Sequence, residues 1–137
     1  MAGKETVAKT VLSRDNYKAV SYSRQHEMAM DRPLEDGGDD DAATPVEYLL
    51  AAIGGCVSMT LRVYAVHKQW NLGEITVVVT QKKELTPKGV MTSLIEEISF
   101  ENEITDGQRK KLLVMAGKCP VAQLVKKETI INSIIKS

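Results

Sequence analysis

"TPVEYLLAAIGGCVSMTLRVYAVHKQW", residues 44–70, is the stretch whose reading decides the fold. Thr44 can cap a helix, Pro45 suits its first position, and Glu47, three residues after the cap, closes a capping box. The pattern predicts a helix from here to about Trp70. From Tyr48 to Val66 that helix is apolar on nearly every side, interrupted by little more than Ser58, Thr60 and Arg62. Its length brushes the lower limit of a membrane span. Arg62, the paired glycines and flanks that read as ordinary soluble strands argue against one. A helix apolar all round in a soluble chain is surrounded by protein. In so small a domain one sheet covers only one side, so a second subunit is expected on the other.

Gly54 and Gly55 stand directly before the lone thiol of this helix, Cys56. Each glycine in a helix interior costs about 1 kcal/mol relative to alanine, so the pair gives up roughly 2 kcal/mol of helix propensity unless packing returns it. Something is therefore expected close to the backbone there. Another helix or a substrate reaching the sulfur would each account for it, and spacing does not choose between them.

Working outward, 137 residues make about one domain, read as residues 1–137. A chain of this length buries roughly two-thirds of the surface it exposes when unfolded and needs no disulfide for stability. Lys plus Arg and Asp plus Glu are both 18, so no overall basic field exists to attract nucleic acid or an anionic membrane. The amino-terminal "MAGKETVAKT" lacks the apolar core of a signal peptide, which points to the cytosol and to reduced thiols. Cys56 and Cys119 are then not a structural staple, and two cysteines are too few for a structural zinc site unless both histidines joined them.

Before the helix, "TVAKTVLS", "YKAVSYS" and "HEMAMD" read as three strands, the first two separated by the turn pair Asp15-Asn16. "RPLEDGGDDDAA" reads as a surface loop; its acidic run lacks the distal glutamate of a calcium-binding EF-hand. After the helix, "GEITVVVTQKKEL", the turn "TPKG" and "MTSLIEEISFEN" form a hairpin. "TDGQRKKLLVMAGKC" is a helix that Thr105 can cap and Gly117 can end. In "CPVAQLVKK", Cys119 takes a cap position and Pro120 the first helical one. "ETIINSIIK" reads as a final strand.

The two thiols differ in setting. A cap position aims Cys119 at unpaired amides and the positive end of a helix dipole, which favours thiolate. Cys56, among Leu, Ile, Val and Met, sits where burial disfavours the charged form, so as a nucleophile it needs a cation or donor from elsewhere. A small core residue is the alternative role for it. Soft ligands such as Cys56, Cys119 and a histidine would suit zinc, but no Cys-x-x-Cys or His-x-x-His spacing is present and no metal is expected.

"TPVEYLLAAIGGCVSMTL", followed about sixty residues later by "KCPVAQLV" and preceded by "SRQHEMAMDRP" and a Gly-Gly pair, resembles the OsmC/Ohr superfamily of hydroperoxide-reducing proteins, in particular its OsmC-like branch. The resemblance spans roughly Tyr17 to Ile135. It implies an α+β fold in which curved antiparallel sheets wrap a long central helix, assembled as an intertwined homodimer. It also implies a peroxidase with no cofactor. Cys56 would attack the distal oxygen of an organic hydroperoxide and become a sulfenic acid. Cys119 would condense with that acid into a disulfide, which a dithiol reductant reopens.

The resemblance further implies an arginine that activates the attacking thiol and a glutamate that holds the arginine. Arg24 takes the first role by its place before the acidic loop, with Arg32 and Arg14 as alternatives. Family patterns put the glutamate directly after the proline, where this chain has Val46, with Glu47 one residue later. On a regular helix Glu47 and Cys56 are separated by about 13 to 14 Å of rise and about half a turn. If Glu47 acts, it is therefore expected to serve the partner's site; closing the capping box is its other role. His26, beside Arg24, together with Gly55 and Met59, would line the substrate pocket, and His67 is expected at the surface. A second implied class is a non-enzymatic OsmC-like protein that binds a small apolar ligand at the dimer interface.

Overall fold

The computed structural model describes residues 5–136. Residues 1–4, the start of the amino-terminal stretch expected to lack a signal peptide, lie outside it, as does residue 137. The chain divides into two compact units, one running to Leu49 and one from Leu50.

In the first unit β1 (Lys9–Leu12), β2 (Ala19–Ser23) and β3 (His26–Met30) form an antiparallel sheet in the order β1-β2-β3. Val11 faces Val20, Ser21 faces Met28, and the β2–β3 turn is tight enough to hold Arg24 at φ 53°. The acidic stretch after β3 is the expected loop, with one 3-10 turn at Leu34–Asp36. Asp31, 2% exposed, organises it by accepting hydrogen bonds from the backbone N–H groups of Arg32 (2.7 Å), Asp39 (3.3 Å) and Asp41 (3.1 Å). Lys18 closes the loop from outside with ion pairs to Asp39 (3.4 Å) and Asp41 (2.5 Å). The carboxylates of Asp31, Asp39 and Asp41 lie within 4.8 Å of one another, and the Lys18 ammonium pairs with the last two. The capping box of the central helix forms as read: Thr44 Oγ1 accepts from Glu47 N–H at 3.2 Å and Glu47 Oε1 from Thr44 N–H at 2.8 Å.

That helix, α1 (Pro45–Lys68), continues into the second unit. There β4 (Ile75–Thr86) and β5 (Gly89–Phe100) form the predicted hairpin, followed by α2 (Asp106–Ala116) and α3 (Pro120–Lys126). Ile53, Val57, Leu61 and Ala65 recur every four residues, so one stripe of α1 is buried. They form a core with Leu72, Leu112, Ala116, Cys119 and Ala122, against which Val77, Val79, Leu94, Ile98 and Phe100 pack from one face of the hairpin. Each fully buried Val, Leu or Ile contributes about 1.5–3 kcal/mol. Thr105 and Gln108 make a reciprocal capping box at the start of α2, and Gly117 ends it.

On the other side of α1, Met59 (70%), Val63 (71%) and Val66 (67%) stand in solvent. The helix is long and apolar enough to cross a membrane, yet one of its faces is the core of this unit.

One element differs from the sequence reading. "ETIINSIIK" is not a strand: among the described residues, 128–136 pair with no other strand, and Ile130, Ile131, Ile134 and Ile135 are 84% to 100% exposed. β-branched composition favours a strand only where a neighbouring strand takes up its backbone groups, and none does here.

Candidate functional site

The second unit brings the two thiols together. Both cysteines are free, and the Cys56 thiol is close enough to act on the charge state of Cys119. Each is placed by a different device. Cys56 sits on α1 one residue before the buried Val57 and is itself half-buried. Cys119 is the N-cap of α3, its Sγ accepting from Ala122 N–H at 3.5 Å, and none of it is exposed. Gln123 secures the same corner: its Nε2 donates to Gly117 O at 2.6 Å and its N–H to Cys119 O at 3.0 Å.

The charge preference expected of Cys119 is reversed. Burial pushes this thiol above its ordinary value, the neighbouring Cys56 thiol pushes the same way, and the amides of Ala122 and Val121 oppose both without prevailing. The cap geometry is the one read from "KCPVA"; the depth at which α3 starts was not legible there. In the reduced protein Cys119 is a sheltered thiol whose neutral form burial favours.

Cys56 opens onto a trough of about 900 Å³ between one side of α1 and the α2–α3 junction. Ala52, Gly55, Cys56, Met59, Thr60, Val63, Tyr64 and His67 line it from α1; Met115, Lys118 and Pro120 line it from the junction. Gly55 and Met59, both expected at the pocket, are there. His67 is exposed, as expected, at the far end of the trough. It is eleven residues beyond Cys56, about 16 Å along a helix axis. Thr60, Val63 and Tyr64 escaped the sequence reading although they continue the three-and-four spacing from Cys56. Met115, Lys118 and Pro120 carried no such signal, because tertiary packing alone brings them here.

The glycine pair divides its duties. A Cβ on Gly54 would stand 3.5 Å from Val79 Cγ2, an ordinary contact, so this glycine faces β4. Gly55 meets nothing within 4 Å and leaves the trough wall open beside Cys56. The close neighbour expected at both positions is thus present only at Gly54.

The other expected site residues lie in the first unit. Arg24 is exposed in the β2–β3 turn, and His26 is exposed at the start of β3, opposite Ser23. Arg32 stacks its guanidinium 4.9 Å from the Tyr17 ring centre. Glu47 is engaged in the capping box.

The fold is α+β, with a half-buried thiol on an apolar core helix, a fully buried one beside it and a two-stranded antiparallel sheet packed on the same core. The chain belongs to the OsmC-like protein family, which matches residues 38–133. Its fold is similar to that of an OsmC-like protein of Mycoplasma pneumoniae, with 21% identity over 90% of this chain and 89% of the other and a TM-score of 0.69. An organic hydroperoxide resistance protein OsmC of Legionella pneumophila is similar over 92% of each chain, with 18% identity and a TM-score of 0.68. An OsmC-like protein of unknown function from Vibrio cholerae covers 91% of this chain with 96% of its own, with 16% identity and a TM-score of 0.72. No curated protein sequence matches the chain.

Proposed function

We propose that this protein is a thiol peroxidase that reduces organic hydroperoxides. The observation that carries this is the pairing of a trough-facing Cys56 with a neighbouring, fully buried Cys119 thiol. A hydroperoxide enters the trough with its apolar part against Met59, Val63 and Met115. Cys56 sulfur attacks the distal oxygen, the O–O bond breaks, and the alcohol leaves with a proton. The resulting sulfenic acid is attacked by Cys119 sulfur; water leaves and a disulfide closes. A dithiol reductant restores both thiols. Arg24 as the activating cation, Glu47 as its carboxylate partner and His26 as a pocket residue follow the family pattern. We place the reaction in the cytosol, within one domain and without a cofactor.

The active species in this proposal is a homodimer. Support comes from the uncovered Val66 of α1, beyond the trough, and from the exposed isoleucines of residues 130–135. A second copy is the covering that the all-round apolar helix calls for. Light scattering tests this; a stable monomer would overturn it.

One observation favours a second function. The trough is mostly apolar and its volume falls in the range of small-ligand pockets, while no arginine is among its lining residues. A binding protein for a small apolar ligand needs that wall and no activated sulfur.

Treating the reduced protein with cumene hydroperoxide and measuring free thiols and intact mass separates the two. Peroxidase action gives rapid loss of both thiols and a two-hydrogen mass decrease, absent in Cys56→Ser. Unchanged thiols under excess hydroperoxide would remove it in favour of ligand binding.

A further inference from the structure

We infer that the reductant attacks the sulfur of Cys56 and not that of Cys119, entering by the same trough as the peroxide. This rests on the Cys56–Cys119 disulfide proposed above and adds which of its sulfurs is open to exchange. Thiol–disulfide exchange depends on which sulfur the incoming thiolate can reach. It also requires the attacking, central and leaving sulfurs to lie nearly in line.

The two sulfurs differ in access. Cys119 is 0% exposed, belongs to the buried cluster with Ala116 and Ala122, and is not part of the trough wall. Cys56 is half-buried and lines the trough. Beside it Gly55, which faces open space, leaves the approach unobstructed. A thiolate arriving through the trough therefore meets Cys56 first, with Cys119 behind it as the leaving sulfur. Cys119 offers no exposed surface to such an attack.

The bonds balance as follows. The first thiolate of the dithiol bonds to Cys56 sulfur, the disulfide bond breaks, and its electron pair goes to Cys119, which takes up a proton in its buried setting. The second thiol of the reductant, deprotonated, then attacks the reductant's own sulfur in the mixed disulfide. Cys56 leaves and is protonated. The reductant is oxidised to a disulfide, and two protons and two electrons have passed to the protein. Because peroxide and reductant share one entrance, each excludes the other.

The test begins with the protein oxidised by diamide, so that the disulfide does not depend on peroxidase action. A brief pulse of 2-mercaptoethanol is stopped with N-ethylmaleimide in denaturant, so that a buried thiol is labelled too, and the peptides are mapped. The expected result is mercaptoethanol on Cys56 and maleimide on Cys119, exceeding the reverse pattern by at least about tenfold, as access control requires. The reverse pattern, equal labelling, or no Cys56–Cys119 disulfide after diamide overturns the inference. If cumene hydroperoxide fails to oxidise the protein while the mapping is as expected, peroxidase action falls and the exchange route stands. In a second measurement, Gly55→Leu should slow oxidation by cumene hydroperoxide and reduction by dithiothreitol alike, each by about tenfold. Reduction at the wild-type rate with oxidation slowed would separate the two entrances and overturn the shared route.

Discussion

Gly54 lies against Val79 with the space of one methyl group between them: a Cβ built on the glycine would meet Val79 Cγ2 at 3.5 Å. An alanine fits there without displacing β4. Gly54→Ala is therefore expected to stabilise the second unit by up to about 1 kcal/mol through helix propensity. Gly54→Leu should destabilise by about 1–3 kcal/mol through overpacking against Val77 and Val79. Denaturant unfolding of the two variants checks the pair; a destabilised Gly54→Ala would show that a tighter neighbour occupies this position.

Gly38 is the opposite case. A Cβ there would fall within the Arg32 carbonyl, which is backbone and cannot swing away. Gly38→Ala should cost about 1–3 kcal/mol or more and should disturb the loop that Asp31 organises. Thermal unfolding measures the cost, and amide exchange at Asp39 and Asp41, whose N–H groups Asp31 holds, locates it.

The Asp31 loop also fixes two pH limits. Hydrogen bonds from the N–H groups of Arg32, Asp41 and Asp39 hold the Asp31 carboxyl below its ordinary value, against the opposing effect of burial. Its contribution to stability is thus present above the unfolded carboxyl value, about 3.9, and is lost as pH falls through the lower folded value. Asp41 and Asp39 raise Lys18, so that contribution is present below about 10.4 and is lost as pH rises through the folded value. Asp31→Asn should flatten the acid side of the stability–pH curve and Lys18→Met the alkaline side. Unchanged limbs in both variants would show that other groups set these limits.

Cys119 combines a cap with a suppressed charge. With its thiol raised, it should resist iodoacetamide at pH 8 while Cys56, on the trough, reacts. Peptide mapping after timed alkylation shows the order, and early labelling of Cys119 contradicts it. Cys119→Ala should cost about 1 kcal/mol by leaving Ala122 N–H without its acceptor, and Cys119→Ser should recover most of that.

Most of the elements were legible from local pattern. Thr44, Pro45 and Glu47 placed the start of α1, and Thr105, Gln108 and Gly117 mark both ends of α2 in the same way. The two runs on either side of "TPKG" gave the β4–β5 hairpin, but not which of its faces is inward. Non-local physics escaped. Cys119 reads as a cap, but its charge state turns on depth, which belongs to the packed core. Residues 128–136 have the composition of a strand, while strand formation depends on a neighbour that no local pattern supplies. The helix side of the trough was available from the spacing through Cys56, Met59, Val63 and His67, whereas Lys118 and Pro120 arrive only by folding.

Val66 of the central helix and the isoleucines of residues 130–135 stand in water when the chain is alone. If a second copy is what dries them, the free energy of unfolding acquires a term in the logarithm of protein concentration. Dilution then acts on this protein as a denaturant does, and its melting temperature is a property of the solution as much as of the chain.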